Sequence, residues 1–220
     1  MADAPIPSRD PASARRGLRA GRTRAAILES AERLFAERGF SAARLEDVAE
    51  AVGIRRASLF YYFRDKAELY DAVLADVLGS LRERLASVLL GAGPLAERAE
   101  AAVSAWIDFV AARPAFARLL LREVADGSPA HEPPLARHVR PFFELVGRVL
   151  AEPGDPLARA APVDPVNLAS VIAGSTVFFV AAMPTLLPGL HFDPLQPERI
   201  EAHRREVLGI ARRLLGSGES

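Results

Sequence analysis

Apolar residues recur three and four positions apart through almost the whole chain, which is the period of an amphipathic helix. The pattern is clearest over residues 45–63, which predict two short helices joined by a tight turn. Gly53 lies at the turn, where a positive φ costs glycine little. A small residue at 49, glycine four positions later and an aliphatic six after that give the spacing of a helix-turn-helix. The inward-facing positions of this pair are Leu45, Val48, Ala49, Val52, Leu59 and Phe63.

Residues 22–38 predict a longer amphipathic helix before this pair. Two helices of about seven to nine residues bury too little surface alone, so we expect the longer helix to complete a three-helix unit. Thr23 is the predicted N-cap, Gly39 the predicted end, and Phe40 is expected to fold back on the same core. The expected buried face is Ile27, Leu28, Ala31, Leu34 and Phe35, and the expected wet face is Arg24, Glu29, Glu32, Arg33 and Glu37.

The rest of the chain has the helical period as well. Asp65 is followed three positions later by Glu68, a pair typical of a helix N-terminus. Proline and glycine separate the later helices, and no segment alternates as a strand would. The sequence therefore predicts an all-α fold, with helices after the pair at about 65–90, 94–112, 115–125, 135–151, 165–183 and 197–215.

Charge and composition divide this helical chain into parts. Residues 1–66 carry 13 Lys/Arg against 9 Asp/Glu, while the remainder carries 15 against 19. This asymmetry favours an anion-binding N-terminal part. We predict a flexible basic arm at 1–21, a three-helix domain at 22–67 and a larger helical domain at 68–220. The arm is either a disordered tail or a segment that tracks phosphates beside the helix-turn-helix.

Several classes of chemistry find no support in the sequence. The chain has no cysteine, so disulfides and thiolate chemistry are excluded. Its four histidines lack ligand spacing, and we find no phosphate loop and no pairing of a nucleophile with a base. We therefore expect no metal, no cofactor and no enzymatic activity, and the absence of a signal-peptide pattern predicts a cytoplasmic protein.

Residues 165–190 carry no formal charge, which raises the possibility of a membrane span. Small residues dominate the first half of this segment, Asn167 lies within it, and Pro184 and Pro188 interrupt its end. A helix that is apolar on all sides is also what a buried or subunit-facing helix looks like. We expect a buried or interfacial helix and no membrane contact.

The order of residues in the N-terminal part resembles a known family. AILESAERLFAERGF (26–40), LEDVAEAVGI (45–54) and SLFYYFRDKAELY (58–70) are similar to the DNA-binding domain of TetR/AcrR-type transcriptional regulators. The resemblance runs over residues 22–70. The helical remainder suits the family's domain for ligand binding and dimerisation. Arg44 and Arg55 stand where the family usually has Ser or Thr at a helix start, and Phe60 stands where Tyr is common.

The resemblance implies a homodimer that binds a double-stranded, palindromic operator, each copy laying helix 55–63 in a major groove. Arg56 is our candidate for a direct base contact, since a guanidinium can bond guanine O6 and N7 together. Tyr61, Tyr62 and Lys66 match positions that commonly bind phosphate. The two tyrosines could instead be half-buried aromatics, Lys66 a solvated residue at a helix start, and Arg55 could only pair with a nearby acid. Lys66 is the chain's only lysine. The candidate DNA-binding residues are Arg44, Arg55, Arg56, Ala57, Ser58, Tyr61, Tyr62 and Lys66.

The larger domain is expected to hold a small-molecule effector of unknown identity and to form the dimer. Any one of its aromatic residues could equally be ordinary core. For dimerisation we favour helices 165–183 and 197–215, whose small and apolar residues allow close approach. The candidate ligand-binding residues are Trp106, Phe109, Phe116, Arg122, His138, Phe142, Asn167 and Phe178.

The resemblance to this family implies a repressor that a ligand releases from DNA by tilting helix 65–90. A regulator without an effector, or an activator, is the alternative that the sequence leaves open. The alternative from another functional class is an all-α enzyme that uses the His, Glu and Arg groups of the larger domain.

Overall fold

A computed structural model describes residues 11–126, 134–151 and 164–215. Every element in these ranges is helical, so the predicted all-α fold is confirmed. Within these ranges, no helix combines the length and the apolar character that crossing a membrane requires. The helices are α1 Pro11–Ala42, α2 Leu45–Val52, α3 Arg56–Leu59, α4 Lys66–Leu89, α5 Leu95–Ala112, α6 Pro114–Asp126, α7 Pro134–Leu150, α8 Pro165–Ala181, α9 Met183–Leu186 and α10 Pro197–Leu214, with a 3₁₀ turn at Pro188–Leu190.

Helix α1 begins earlier than the sequence predicts. Residues 11–21, predicted as part of a flexible arm, form its first turns, and residues 1–10 lie outside the described ranges. Thr23 is therefore not an N-cap, and its hydroxyl donates to the carbonyl of Arg19, 3.1 Å away, one turn back. Gly39 does interrupt the helix, with φ 77° and ψ 167°, and one further turn follows it. Phe40 then packs back as expected, its ring 6.1 Å from Phe35.

The core of the N-terminal unit is built from the predicted face of α1 and the inner faces of α2 and α4. Ile27, Leu28, Ala31 and Phe35 are buried and Leu34 is half-buried, as the helical period requires. Glu32 was expected on the wet face but is only 3% exposed. That prediction was wrong because the buried stripe of α1 is wider than the apolar positions alone indicate.

Helices α2 and α3 form the predicted helix-turn-helix. Gly53 ends α2 in the left-handed region, with φ 73°. Its N–H donates to the carbonyl of Glu50 at 3.0 Å, and the N–H of Ile54 donates to that of Ala49 at 2.9 Å. This pair of bonds is a Schellman motif, which satisfies the last carbonyls of α2 and turns the chain sharply. The second helix is shorter than predicted, because only residues 56–59 are regular and residues 60–62 form turns.

The start of α4 is fixed by the capping pair that the sequence predicts. The Asp65 carboxylate accepts from the N–H of Glu68 at 2.8 Å, and the Glu68 carboxylate accepts from the N–H of Arg64 at 2.7 Å. The backbone bond from Glu68 and then the Arg64 guanidinium hold the pKa of Asp65 below its usual range. These side-chain bonds therefore fix where α4 begins, directly after the helix-turn-helix.

The chain divides into two compact units, Met1–Val73 and Leu74–Ser220. The domain division predicted at 67/68 falls within the first turns of α4, shortly before this point. In the larger unit, ion pairs join α5 to α10. Arg204 donates to the Ser104 carbonyl at 3.1 Å and to Asp108 at 2.6 Å, and Arg212 holds both oxygens of Glu100 at 2.8 and 2.6 Å. Bidentate geometry of this kind fixes both the spacing and the register of two helices.

Candidate nucleic-acid interface and ligand cavity

The N-terminal end of α3 presents its side chains to solvent. Arg55, Arg56, Ala57 and Ser58 are all exposed, whereas Leu59 and Phe63 are buried in the unit's core. The helical period separates these two sets, since residues three and four positions apart share a face. The structure therefore brings together four of the predicted DNA-binding residues on one accessible surface, which we call the α3 surface.

The two arginines that replace the expected hydroxyls sit at helix starts. Arg44 precedes α2 and Arg55 precedes α3, both in extended backbone, and neither side chain caps the helix N-terminus. A guanidinium carries no acceptor, so it leaves the first N–H groups of the helix unsatisfied by the cap. Both side chains point their charge into solvent instead, where an approaching phosphate is a favourable partner.

Arg56 has a partner that sequence reasoning missed. Its guanidinium lies 2.8 Å from the Glu46 carboxylate of α2 and stacks over the Phe60 ring, 5.5 Å from the centroid. Both members of the ion pair remain about half exposed. The pairing fixes the direction of the arginine before any DNA arrives. To contact a base, the Arg56 guanidinium must therefore either bond the base and Glu46 together or break its ion pair with Glu46.

The two tyrosines differ in what they can offer. Tyr61 is 83% exposed, so a reading of this residue as half-buried structure is wrong. Tyr62 is half-buried and meets the ring of Tyr61 edge-on at 5.3 Å. The ring of Tyr61 therefore contacts Tyr62 at one edge while most of it lies in solvent. A phosphate contact by either hydroxyl stays a prediction.

Lys66 is half-buried and bonds to the protein's own backbone. Its ammonium donates to the carbonyls of Ser41, 3.0 Å away, and Ala43, 3.2 Å away, and lies 4.6 Å from the centroid of the Phe40 ring. Ser41 lies in the last turn of α1 and Ala43 directly follows the helix, so the ammonium is at the end of α1 where a cation is electrostatically favourable. Two of the three ammonium donors are thus used, and one remains for a phosphate. The side chain ties the end of α1 to the start of α4.

The larger unit contains a partly open cavity of about 470 Å³, within the size range of small-molecule sites. Its walls come from α4, α5, α6, α7 and α8. The lining is almost wholly aliphatic and aromatic. Arg82, Trp106, His138 and Ser170 supply the polar atoms of the lining among the described residues.

Five of the eight predicted ligand-binding residues line this cavity. Phe109 instead packs behind Phe116, their rings 5.7 Å apart, while Arg122 and Asn167 are exposed elsewhere. Helical spacing alone did not show that Asn167 faces away from the apolar side of α8. The five candidates that line the cavity are Trp106, Phe116, His138, Phe142 and Phe178. Arg82 and Ser170 were missed, since an isolated arginine or serine on a helix carries no sequence signal.

Two family models match the chain. Residues 27–73 match the bacterial regulatory proteins of the tetR family, and residues 96–210 match the tetracyclin repressor-like C-terminal domain. The second match alone spans more than half of the chain. The chain belongs to the TetR family of regulators. It is therefore a member of a family of transcriptional regulators, and the resemblance stated from the sequence is confirmed.

Known proteins similar to this TetR-family chain differ in their sequence identity to it and in the fraction of it that they cover. The regulator TtgR of Pseudomonas putida is 44% identical over 64 residues, which span 29% of this chain and 30% of TtgR. The regulator RutR of Escherichia coli is 29% identical over 159 residues, or 72% of this chain and 74% of RutR. A solved structure of AibR in complex with isovaleryl coenzyme A and operator DNA has a TM-score of 0.64 at 18% identity, covering 86% of this chain and 97% of that chain. The structural likeness confirms the fold.

One face of α8 in this TetR-family chain stays uncovered within the described residues. Val166 and Val171 are exposed on it and lie outside the cavity lining, whereas Phe178, 49% exposed, lies at its edge and also lines the cavity. Gly174 is exposed between them, and Leu214 of α10 is exposed as well. Other residues of the predicted dimer helices, Val177, Val207 and Leu215, are buried within the chain itself and cannot contribute to an interface.

Proposed function

We propose that this TetR-family chain is a repressor that binds a palindromic operator as a homodimer and is released from it by a small molecule. The observation that carries the proposal is what the two ends of α4 contact. Its first residue, Lys66, anchors to the carbonyls of Ser41 and Ala43, whereas residues Leu78 to Leu89 wall the cavity. One continuous helix therefore begins in the N-terminal unit, at the Lys66 anchor, and forms a wall of the ligand site further along.

The α3 surface supports the DNA-binding part of the proposal. Its exposed arginines suit both the grooves and the phosphates of a duplex, and the buried Leu59 and Phe63 hold them in fixed directions. AibR, which shares the fold, has been solved with operator DNA and isovaleryl coenzyme A. By analogy with AibR, both kinds of partner are proposed for this chain.

The exposed face of α8 supports the dimer. Apolar side chains on a monomer's surface gain about 25 cal/mol per Å² when a partner covers them. The small residue Gly174 lets two such helices approach closely. A two-fold dimer presents two α3 surfaces, which is the arrangement that an inverted-repeat operator requires.

A ligand releases DNA only if it prefers one arrangement of the larger unit. The preference must reach the α3 surface, and α4 is the covalent route between the cavity wall and Lys66. A coupling of about 1–3 kcal/mol, typical of allosteric proteins, changes DNA affinity by about 5- to 150-fold.

The test is a reporter gene driven by the DNA upstream of this protein's own gene, in a heterologous host with and without the chain. Expression is expected to fall when the chain is present and to recover with the double variant Arg55→Ala/Arg56→Ala. A rise in expression would identify an activator and contradict the repressor.

Ligand release is tested on the same DNA by fluorescence anisotropy. The added probes are isovaleryl coenzyme A, hexanophenone and hexylbenzene, each first scored for displacement of the dye Nile red from the protein. At least one probe that enters the cavity is expected to raise the Kd for DNA by about fivefold or more. A Kd that no cavity-bound probe changes would contradict release by a ligand.

A further inference from the structure

Glu46 is an acidic residue in direct contact with the α3 surface. It lies in the first turn of α2 with about half of its side chain exposed, and its Oε1 lies 2.8 Å from Nη1 of Arg56. Neither side chain forms another ion pair or hydrogen bond in the described part of the chain. The next acid along α2, Asp47, pairs instead with Arg38 of α1. Glu46 therefore places a negative charge beside a surface whose proposed partner is itself negative.

The ion pair changes the direction of Arg56 more than it changes the stability of the fold. Ion pairs between exposed side chains contribute little to stability, because solvent screens them. A carboxylate beside exposed arginines also weakens binding to any duplex, since it repels phosphate. What the pair adds is a fixed position for one guanidinium.

One edge of the Arg56 guanidinium is left for a base. A guanidinium carries five N–H groups in a rigid fork, and Glu46 approaches only Nη1. The Nε and Nη2 groups on the other edge can still bond guanine O6 and N7 together. The guanidinium also lies over the Phe60 ring, 5.5 Å from its centroid. Contacts at one end and on one face restrict the plane of the group before DNA arrives.

Glu46 also changes which acceptor Arg56 prefers. Phosphate is negatively charged and competes for arginine along every duplex. The carboxylate beside Nη1 repels a phosphate, whereas guanine O6 and N7 are neutral acceptors that it repels much less. Relative to a phosphate, a guanine edge is therefore a better partner for Arg56 with Glu46 present than without it.

We propose that Glu46 is a specificity-determining residue for DNA, which holds Arg56 so that its Nε–Nη2 edge bonds guanine while Nη1 stays paired with Glu46. The inference rests on the proposed function, since it requires the α3 surface to bind duplex DNA. Glu46 is a positioning residue, because it contacts Arg56 and not the base. It lowers affinity for random DNA and raises discrimination at one base pair of each half-site.

The experiment is selection of duplexes from a random library by the full chain, followed by sequencing, with wild type, Arg56→Ala and Glu46→Gln. The glutamine keeps the length of the side chain and removes its charge. Arg56→Ala is expected to abolish a guanine preference of about 5- to 150-fold at one base pair of each half-site. Glu46→Gln is expected to reduce the preference at that same base pair by about two- to fivefold and to leave the other positions unchanged.

Glu50→Gln is the matched control. Glu50 is exposed, lies one turn after Glu46 on the same helix, and forms no ion pair with any described residue. Both substitutions remove one negative charge, so both are expected to raise affinity for random duplex. Only Glu46→Gln is expected to relax the guanine preference. The same base preferences in wild type, Glu46→Gln and Glu50→Gln would overturn the inference.

The double variant Glu46→Gln/Arg56→Ala separates positioning from an independent base contact. If Glu46 acts only through Arg56, removing its charge has no further effect on base preference once Arg56 is alanine. A further loss of preference in the double variant would overturn the inference, because Glu46 would then read a base by itself. Anisotropy on the selected duplex, and on the same duplex with the guanine replaced by adenine, gives the affinities for this comparison.

The outcome is separable from that of the proposed function. An inverted repeat selected by wild type, with base preferences that neither Glu46→Gln nor Arg56→Ala changes, supports the proposed function and overturns this inference. A guanine preference that both variants relax, on DNA that no cavity-bound probe releases, supports this inference and contradicts ligand release. Failure of wild type to select any sequence contradicts both.

Discussion

Replacement of Lys66 by methionine tests how the N-terminal unit is held together. The substitution keeps the length of the side chain and removes its ammonium group. Two hydrogen bonds are lost, at 3.0 Å to Ser41 and 3.2 Å to Ala43, together with the contact over the Phe40 ring. The two carbonyls lose a charged donor at the end of α1, where the helix dipole also favours a cation.

The expected loss follows from these contacts. A net contribution of about 1 kcal/mol per hydrogen bond is suitable, since Lys66 is only half-buried and solvent can partly replace the lost donors. The unfolding free energy of Lys66→Met is therefore expected to be about 2 kcal/mol below wild type. The measurement is urea unfolding of the full chain followed by circular dichroism, with both transitions fitted if the two units unfold separately.

Arg22→Met provides the control, because it removes the same charge from an exposed position on α1. A surface substitution of this kind is expected to change stability by less than about 0.5 kcal/mol. If Lys66→Met and Arg22→Met are equally stable, the anchoring role assigned to Lys66 is refuted. In the same samples, Lys66→Met is expected to weaken cognate and random duplex alike, because it removes a candidate phosphate contact, which carries no sequence information.

Substitutions at four further sites test other parts of the account. Arg56→Ala should weaken cognate DNA by about 1–3 kcal/mol and random duplex by less, measured by anisotropy at fixed salt; equal losses on both duplexes would show that it reads no base. Glu46→Gln should raise affinity for random duplex, because it removes a negative charge beside Arg56, and an unchanged affinity would mean that the ion pair has no influence on DNA binding. Gly53→Ala meets no atom within 4 Å, so its cost of about 1–2 kcal/mol should come from the left-handed backbone alone, and Gly53→Asn should cost less; equal unfolding free energies for all three proteins would contradict this. Burial, and then the charge of Arg204, lower the pKa of His203 below its usual 6.5, so His203 contributes stability above pH 6.5 that is lost as the pH falls through the folded-state pKa. Urea unfolding at pH 7.5 and 5.5 should show a smaller pH dependence in His203→Asn, and an identical dependence would exclude this histidine as its source.

The helices of this chain were largely predictable because each buries one continuous stripe. The starts and ends of α4, α5 and α8 follow from periodicity, from the Asp65 capping pair and from the prolines. Gly53 was predictable because a helix that must turn within two residues needs the left-handed region. Each of these signals involves residues that are only a few positions apart in the sequence.

What the sequence did not reveal depends on contacts between distant residues. Lys66 bonds to carbonyls 23 and 25 positions earlier, and no local pattern encodes that contact. The ion pair between Arg56 and Glu46 joins two helices whose relative angle is set by packing. The early start of α1 was missed because residues 11–21 have no apolar stripe, while Gly17 and Gly21 argue against a helix.

The cavity shows the same limit. Aromatic residues at helical spacing predicted a pocket, and five of the eight candidates line it. The direction in which each candidate side chain points depends on the rotation of its helix about the helix axis. Periodicity determines that rotation only to within one residue. Arg122 and Asn167 were chosen for their polarity and face solvent instead.

The most direct test of the central claim is selection of duplexes from a random library by the purified full-length chain, followed by mass measurement of the complex. The account predicts an inverted repeat bound by two chains, and loss of that enrichment with Arg55→Ala/Arg56→Ala. No enriched sequence, or an asymmetric site bound by a single chain, would contradict it.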